Sequence, residues 1–81
     1  MSNAAIAAQL TEALEAAADR EAGAQTALVS VEITMVAPAS AGAVDVRLTR
    51  KTRTLVFMSA EFTSESGARI ASAASVHRAV A

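Results

Sequence analysis

The chain has 81 residues, enough for one small domain and too few for two. Hydrophobic residues make up 53% but aromatic ones only 2%, so Ala, Val, Leu, Ile and Met must fill the core, and a lone copy is marginal enough that an oligomer is expected. A net charge of -1 offers no field to draw in nucleic acid or an anionic membrane, and the lack of cysteine removes disulfides, thiolate metal sites and a thiol nucleophile.

Residues 4–20 read as the first element, an Ala-rich helix without Gly or Pro. Ile6, Leu10 and Leu14 recur every four residues with Ala13 and Ala17 beside them, which makes one apolar stripe. Ser2 or Asn3 suits the N-cap, and Gly23 stands where a left-handed residue would end the helix. Gln9, Thr11, Glu12 and Glu15 interrupt the apolar residues, so this segment is neither signal peptide nor membrane span, and a cytoplasmic location is expected. Ser2–Ala4 reads "SNA", the sequence that affinity-tag cleavage leaves behind, so residues 1–4 are read as the part of the chain a tag remnant would occupy.

Four strands follow in the reading. "VSVEITM", from Val29 to Met35, alternates Val29, Val31, Ile33 and Met35 with Ser30, Glu32 and Thr34, then stops before Pro38. "AVDVRLTR", from Ala43 to Arg50, puts Val44, Val46 and Leu48 on one face. "RTLVFMSAEF", from Arg53 to Phe62, is apolar on both faces and belongs in the middle of a sheet. Ala68 to Val80 carries Ile70, Ala74 and Val76 on one face, with small Ala71, Ala73 and Ser75 on the other, where something can approach closely. The connections "PASAG", "RKT" and "SESG" have hairpin length, so the strands are expected to run as an antiparallel meander. One helix covers one face of such a sheet, and a second copy, meeting it at an edge or on a face, is expected to cover the rest.

A helix followed by "VSVEITMVAPASAG", "VDVRLTRKTRTLVFMSAEF" and "SESGARIASAASVHR" resembles the hotdog-fold acyl-CoA thioesterases, the PaaI-like branch among them. Met35–Pro38 match the family's proline motif, Arg50–Thr54 its arginine hairpin, and Gly67 with Ala71 its last turn and small-residue strand. The resemblance implies a single α+β, hotdog-like domain over residues 1–81, with one long N-terminal helix packed on a four-stranded antiparallel sheet and completed by oligomerisation as a dimer or dimer of dimers. It implies an acyl-CoA thioester as substrate, hydrolysed or bound at a dimer interface, with coenzyme A present only as part of that substrate and with no metal, nucleic acid or membrane partner. The catalytic positions it implies are Glu12 as base or nucleophile, with Asn3 and Ala5 at the helix start polarising the thioester carbonyl. Arg50, Lys51 and Arg53 would hold the phosphates of coenzyme A. The family's strands before the helix have no counterpart in this sequence, which implies a fragment, a shortened member or one whose partner fills the gap. Ala4 and Ala5 stand where the family has glycines.

Each position also has an ordinary reading. Glu12 lies about 200° from Leu10 at about 100° per residue, on the polar side of the helix, where it needs a second subunit in front of it to do chemistry. The Arg50, Lys51 and Arg53 cluster reads equally as a charged turn that discourages edge aggregation. His77 has no evident acid or hydroxyl partner and reads as a surface or edge-strand histidine, while Met35 and Met58 read as core filler. A non-catalytic relative that binds acyl or coenzyme A groups, or only assembles with itself, is the alternative.

Overall fold

The computed structural model describes residues 1–79. Helix α1 spans Asn3–Ala22, two residues beyond the expected C-terminus and one before the expected start. The Ser2 hydroxyl oxygen accepts from the Ala5 amide at 3.0 Å, satisfying one of the amides a helix start leaves unpaired. At the other end Gly23 turns left-handed at φ 71°, and its amide donates to the carbonyls of Asp19 and Arg20. Ile6, Leu10, Leu14, Ala17 and Ala18 are the buried residues of the helix, so the stripe read from spacing is the face that packs.

Strands β1 (Thr26–Met35), β2 (Gly42–Lys51), β3 (Leu55–Ser64) and β4 (Arg69–Ala79) form one antiparallel sheet in the order β1-β4-β3-β2. The architecture is therefore α+β, one helix on one sheet. The fourth strand was expected to reach Val80, which lies outside the described residues. β3 is central, as its two-sided hydrophobicity requires, but the expected meander is corrected: β1 pairs with β4 and not with β2. The "PASAG" connection makes no hairpin. It carries the chain from one sheet edge to the other, a span of about 14 Å at about 4.8 Å per strand, which residues 36–41 can bridge. Its backbone is held on the way by the Val36 and Ala37 amides, both donating to the Ile70 carbonyl at 2.8 and 3.2 Å.

The register sorts side chains into four rows beneath the helix. Val44, Phe62, Ala71 and Met35 form one; Val46, Ala60, Ala73 and Ile33 the next; then Leu48, Met58, Ser75 and Val31; then Lys51, Val56, His77 and Leu28. Small residues in the second row let α1 sit close, while Phe62 in the first is fully buried and is the largest side chain in the core. The small face of β4 thus receives the chain's own helix. Three bulges interrupt the ladder, at Val29, Thr49 and Ile70. The first explains one departure from the sequence reading: Val29 was grouped with Val31, Ile33 and Met35, but as the extra residue of its bulge it leaves their phase and is 49% exposed. The third bulge lets adjacent Ile70 and Ala71 both be buried.

Gly42 opens β2 where the strand comes against β3. A Cβ placed there would stand 2.1 Å from the Thr63 carbonyl oxygen and 2.9 Å from the Phe62 ring. Gly42→Ala must therefore push β2 off its neighbour or displace Phe62, and is expected to cost about 1–3 kcal/mol. Urea unfolding monitored by circular dichroism checks this, and an unchanged midpoint would contradict the tight β2–β3 approach.

Candidate functional site

The residues singled out from sequence are spread along α1 and the turn at its far end. Asn3 and Ala5 lie in the first turn of α1, and Glu12 lies further along on its exposed side, about 14 Å from Asn3 at about 1.5 Å per residue. The Ala5 amide is already committed to the Ser2 hydroxyl, so it reaches a substrate carbonyl only when that capping bond opens. Among the described residues two ion pairs form, Arg47 with Asp45 at 3.6 Å and Arg69 with Glu61 at 2.6 Å, and neither involves Glu12.

The basic cluster stands at the opposite end of the helix. Lys51 Nζ donates to the Glu21 carbonyl at 2.6 Å, placing its charge at the C-terminus of α1, where the helix dipole favours a cation. Arg50 points to the other face of the sheet, its guanidinium carbon 6.0 Å from the centre of the Phe57 ring. Arg53 is exposed in the β2–β3 turn, whose shape is set by the Leu55 amide donating to the Thr52 hydroxyl at 3.0 Å. From Asn3 to Glu21 the helix rises about 27 Å at about 1.5 Å per residue. Within one protomer the two halves of the candidate set are thus separated by the length of α1, and Glu12 lies midway between them.

A polar pair that the sequence reading passed over sits inside the molecule. His77 was read as a surface or edge histidine; instead it is fully buried, on the helix side of central strand β4, between Leu28 and Val56 of the flanking strands. Its Nε2 lies 2.7 Å from the equally buried Ser75 hydroxyl, while its Nδ1 has no hydrogen-bond partner. The signal was present in the phase of β4, since Ala71, Ala73, Ser75 and His77 alternate onto one face. A hydroxyl against an imidazole is the arrangement of a nucleophile and its base, but both groups are sealed beneath α1 and no third group orients the ring. Burial lowers the His77 pKa, with Glu15 and Asp19 on α1 pulling weakly the other way.

Asp19 has a separate duty. Its Oδ1 accepts from the Thr26 amide at 2.8 Å and the Thr26 hydroxyl at 2.7 Å, tying the last turn of the helix to the start of β1, and these bonds hold its carboxyl below the ordinary value. Two concavities are lined mainly from the helix-free face of the sheet. The larger of the two, about 530 Å³, has Ser30, Glu32, Phe57, Ala74 and Val76 in its lining and also reaches Val31, Met58 and Ser75 of the helix-side rows; the smaller has Arg47, Ser59, Glu61, Arg69 and Ser72 in its lining. Neither contains Glu12.

Among the described residues no group of three or more His, Asp or Glu side chains is placed to hold a metal, and no helix is long and apolar enough to cross a membrane. No family model matches the chain, and no curated protein matches it either.

The buried imidazole sets a pH dependence. A neutral ring is favoured in the fold and the unfolded chain binds the proton more readily, so His77 adds stability above its unfolded value of about 6.5 that is lost as pH falls from there toward the lowered native value. Asp19 acts in the same direction only below 3.8, outside this window. Urea midpoints measured from pH 7 to pH 5 should decline, and His77→Gln should flatten that decline whatever its own baseline stability. An equal slope in both proteins would remove His77 from the acid response.

Proposed function

We propose that the chain is a hotdog-like, acyl-CoA thioesterase-like subunit that binds or hydrolyses an acyl-CoA thioester at an interface between two copies. The observation that carries this reading is the arrangement itself: a long helix laid on one face of a four-stranded antiparallel sheet whose order, β1-β4-β3-β2, puts the first strand after the helix at an edge. That edge is the natural seam. It exposes Leu28, Val29 and Val31 together with unpaired strand amides and carbonyls, whereas the opposite edge, β2, is lined by Asp45, Arg47, Arg50 and Lys51. Two copies joined along β1 would bring a second helix alongside the first, with β2 at each outer edge of the joined sheet.

In this reading Glu12 acts as general base or nucleophile toward the thioester carbon, the start of α1 near Asn3 and Ala5 supplies the positive end of the helix to the carbonyl oxygen, and Arg50, Lys51 and Arg53 hold phosphate. The protein works in the cytoplasm, with coenzyme A entering only as part of the substrate. The second reading, a non-catalytic relative that binds acyl or coenzyme A groups or only assembles, is favoured by the Ala5 amide being occupied by Ser2 and by Lys51 being engaged at the end of its own helix.

Glu12→Ala separates the two, because an exposed helix residue can be replaced by Ala without loss of fold. Acyl-CoA hydrolysis by the parent chain, lost in the variant with an unchanged melting temperature, is the catalytic outcome. Stabilisation by coenzyme A in a thermal-shift titration without turnover is the binding outcome. No turnover and no shift would rule out both roles and leave assembly alone.

A further inference from the structure

The face of the sheet turned away from α1 carries a pattern that fits itself. Strand register sorts its side chains into three central rows running from edge β2 to edge β1. These are Asp45, Glu61, Ser72 and Thr34; then Arg47, Ser59, Ala74 and Glu32; then Arg50, Phe57, Val76 and Ser30. In the middle row the ends are oppositely charged and the centre is small. In the third, two apolar side chains stand side by side on the central strands, beside the groove of about 530 Å³.

We infer that this open face is the docking surface for a second copy of the chain, packed sheet against sheet about a two-fold axis running along the strands between β3 and β4. Such an axis reverses each row onto itself. Glu32 of one copy then lies over Arg47 of the other and Arg47 over Glu32, giving two charge pairs from one acid and one base. Phe57 lies over the second copy's Val76, and Ser59 and Ala74, small and central, allow the sheets to close to the spacing of about 10 Å usual for stacked sheets. Arg50 comes over Ser30 and Thr34 over Asp45, so no like charges are forced together in these rows. An axis perpendicular to the strands would instead stack each edge on its own copy and lose the Glu32 to Arg47 match.

The dimensions suffice. Four strands about 4.8 Å apart and ten residues long at about 3.3 Å each make a face of about 600 Å², and two such faces bury about 1,200 Å², the lower end of the range for specific association. Mixed charge also argues for this occupant over a polyanion, because Glu32, Asp45 and Glu61 are interspersed with Arg47, Arg50 and Arg69 and leave no basic stripe. This interface is distinct from the β1 seam invoked for acyl-CoA, since it lies across the sheet from Glu12, and the two together would make a dimer of dimers.

Charge exchange tests it on the full chain by sedimentation velocity at micromolar concentration. Glu32→Arg and Arg47→Glu each place like charges over one another and should halve the sedimenting mass, while the double exchange restores the opposite pairing and should recover it. Ala74→Arg, an exposed residue beside the axis, should halve the mass regardless of the charges. Circular dichroism identifies any variant that fails to fold. A parent chain that sediments as a monomer, or single exchanges that leave its mass unchanged, would overturn the inference. The coenzyme A titration reads the other interface, so either proposal fails without the other.

Discussion

One helix of 20 residues shields one side of a four-stranded sheet, and the other consequences of this structure follow from the side it leaves bare. Beneath α1 the β3 residues Phe62, Ala60, Met58 and Val56 are buried; on the far side of the same strand Leu55, Phe57, Ser59 and Glu61 are only half-covered. The composition forces this economy. With two phenylalanines in 81 residues and no tyrosine or tryptophan, the chain places Phe62 in the helix-covered core and leaves Phe57 on the sheet surface, under the Arg50 guanidinium. A β-sheet that is apolar on both faces in its central strand but capped on one face is an incomplete layer, and layered architectures resolve such faces by adding another layer.

The ends of α1 show how the remaining polar groups are used. Ser2 closes the first turn, Gly23 the last, Asp19 anchors β1 through Thr26, and Lys51 reaches from the far sheet edge to the final carbonyls. The last two tie the C-terminal end of the helix to the sheet, adding to the packing of Ile6, Leu10, Leu14, Ala17 and Ala18. The buried Ser75–His77 pair adds a directional contact in the same layer. An imidazole held among Leu28, Val56 and the underside of α1 must keep its one hydrogen bond, and that favours a single placement of β4.

How much of this was legible depended on the range of the interaction. Helix limits were readable because Ser2 and Gly23 act within a turn of where they stand, and the strands because alternation is local. Period two assigns each residue a face but names no neighbour. It showed Arg53 to Phe62 as apolar on both faces, which suits a central strand, yet said nothing against a hairpin between Met35 and Gly42. The bulge at Val29 was invisible for the same reason, since only the opposing strand defines which residue is extra. The candidate site suffered most. Glu12, Asn3 and Ala5 share a helix with Glu21, but that the Lys51 turn would dock at the far end required the register of β2 beneath α1. His77 was misread by judging it alone, although its place in the series Ala71, Ala73, Ser75 carried the information.

The crossing of residues 36–41 from edge to edge has a kinetic corollary. Because β1 pairs only with β4, its partners are 36 to 53 positions away along the chain, whereas β2, β3 and β4 zip through adjacent turns. The three-stranded ribbon is favoured to form early, and β1 to add afterwards as the step with the largest loop-closure entropy. Until then the outer border of β4 is an open template, and in a crowded preparation the first strand to reach it need not come from the same molecule, which makes exchange of β1 between neighbours the characteristic misassembly of this topology.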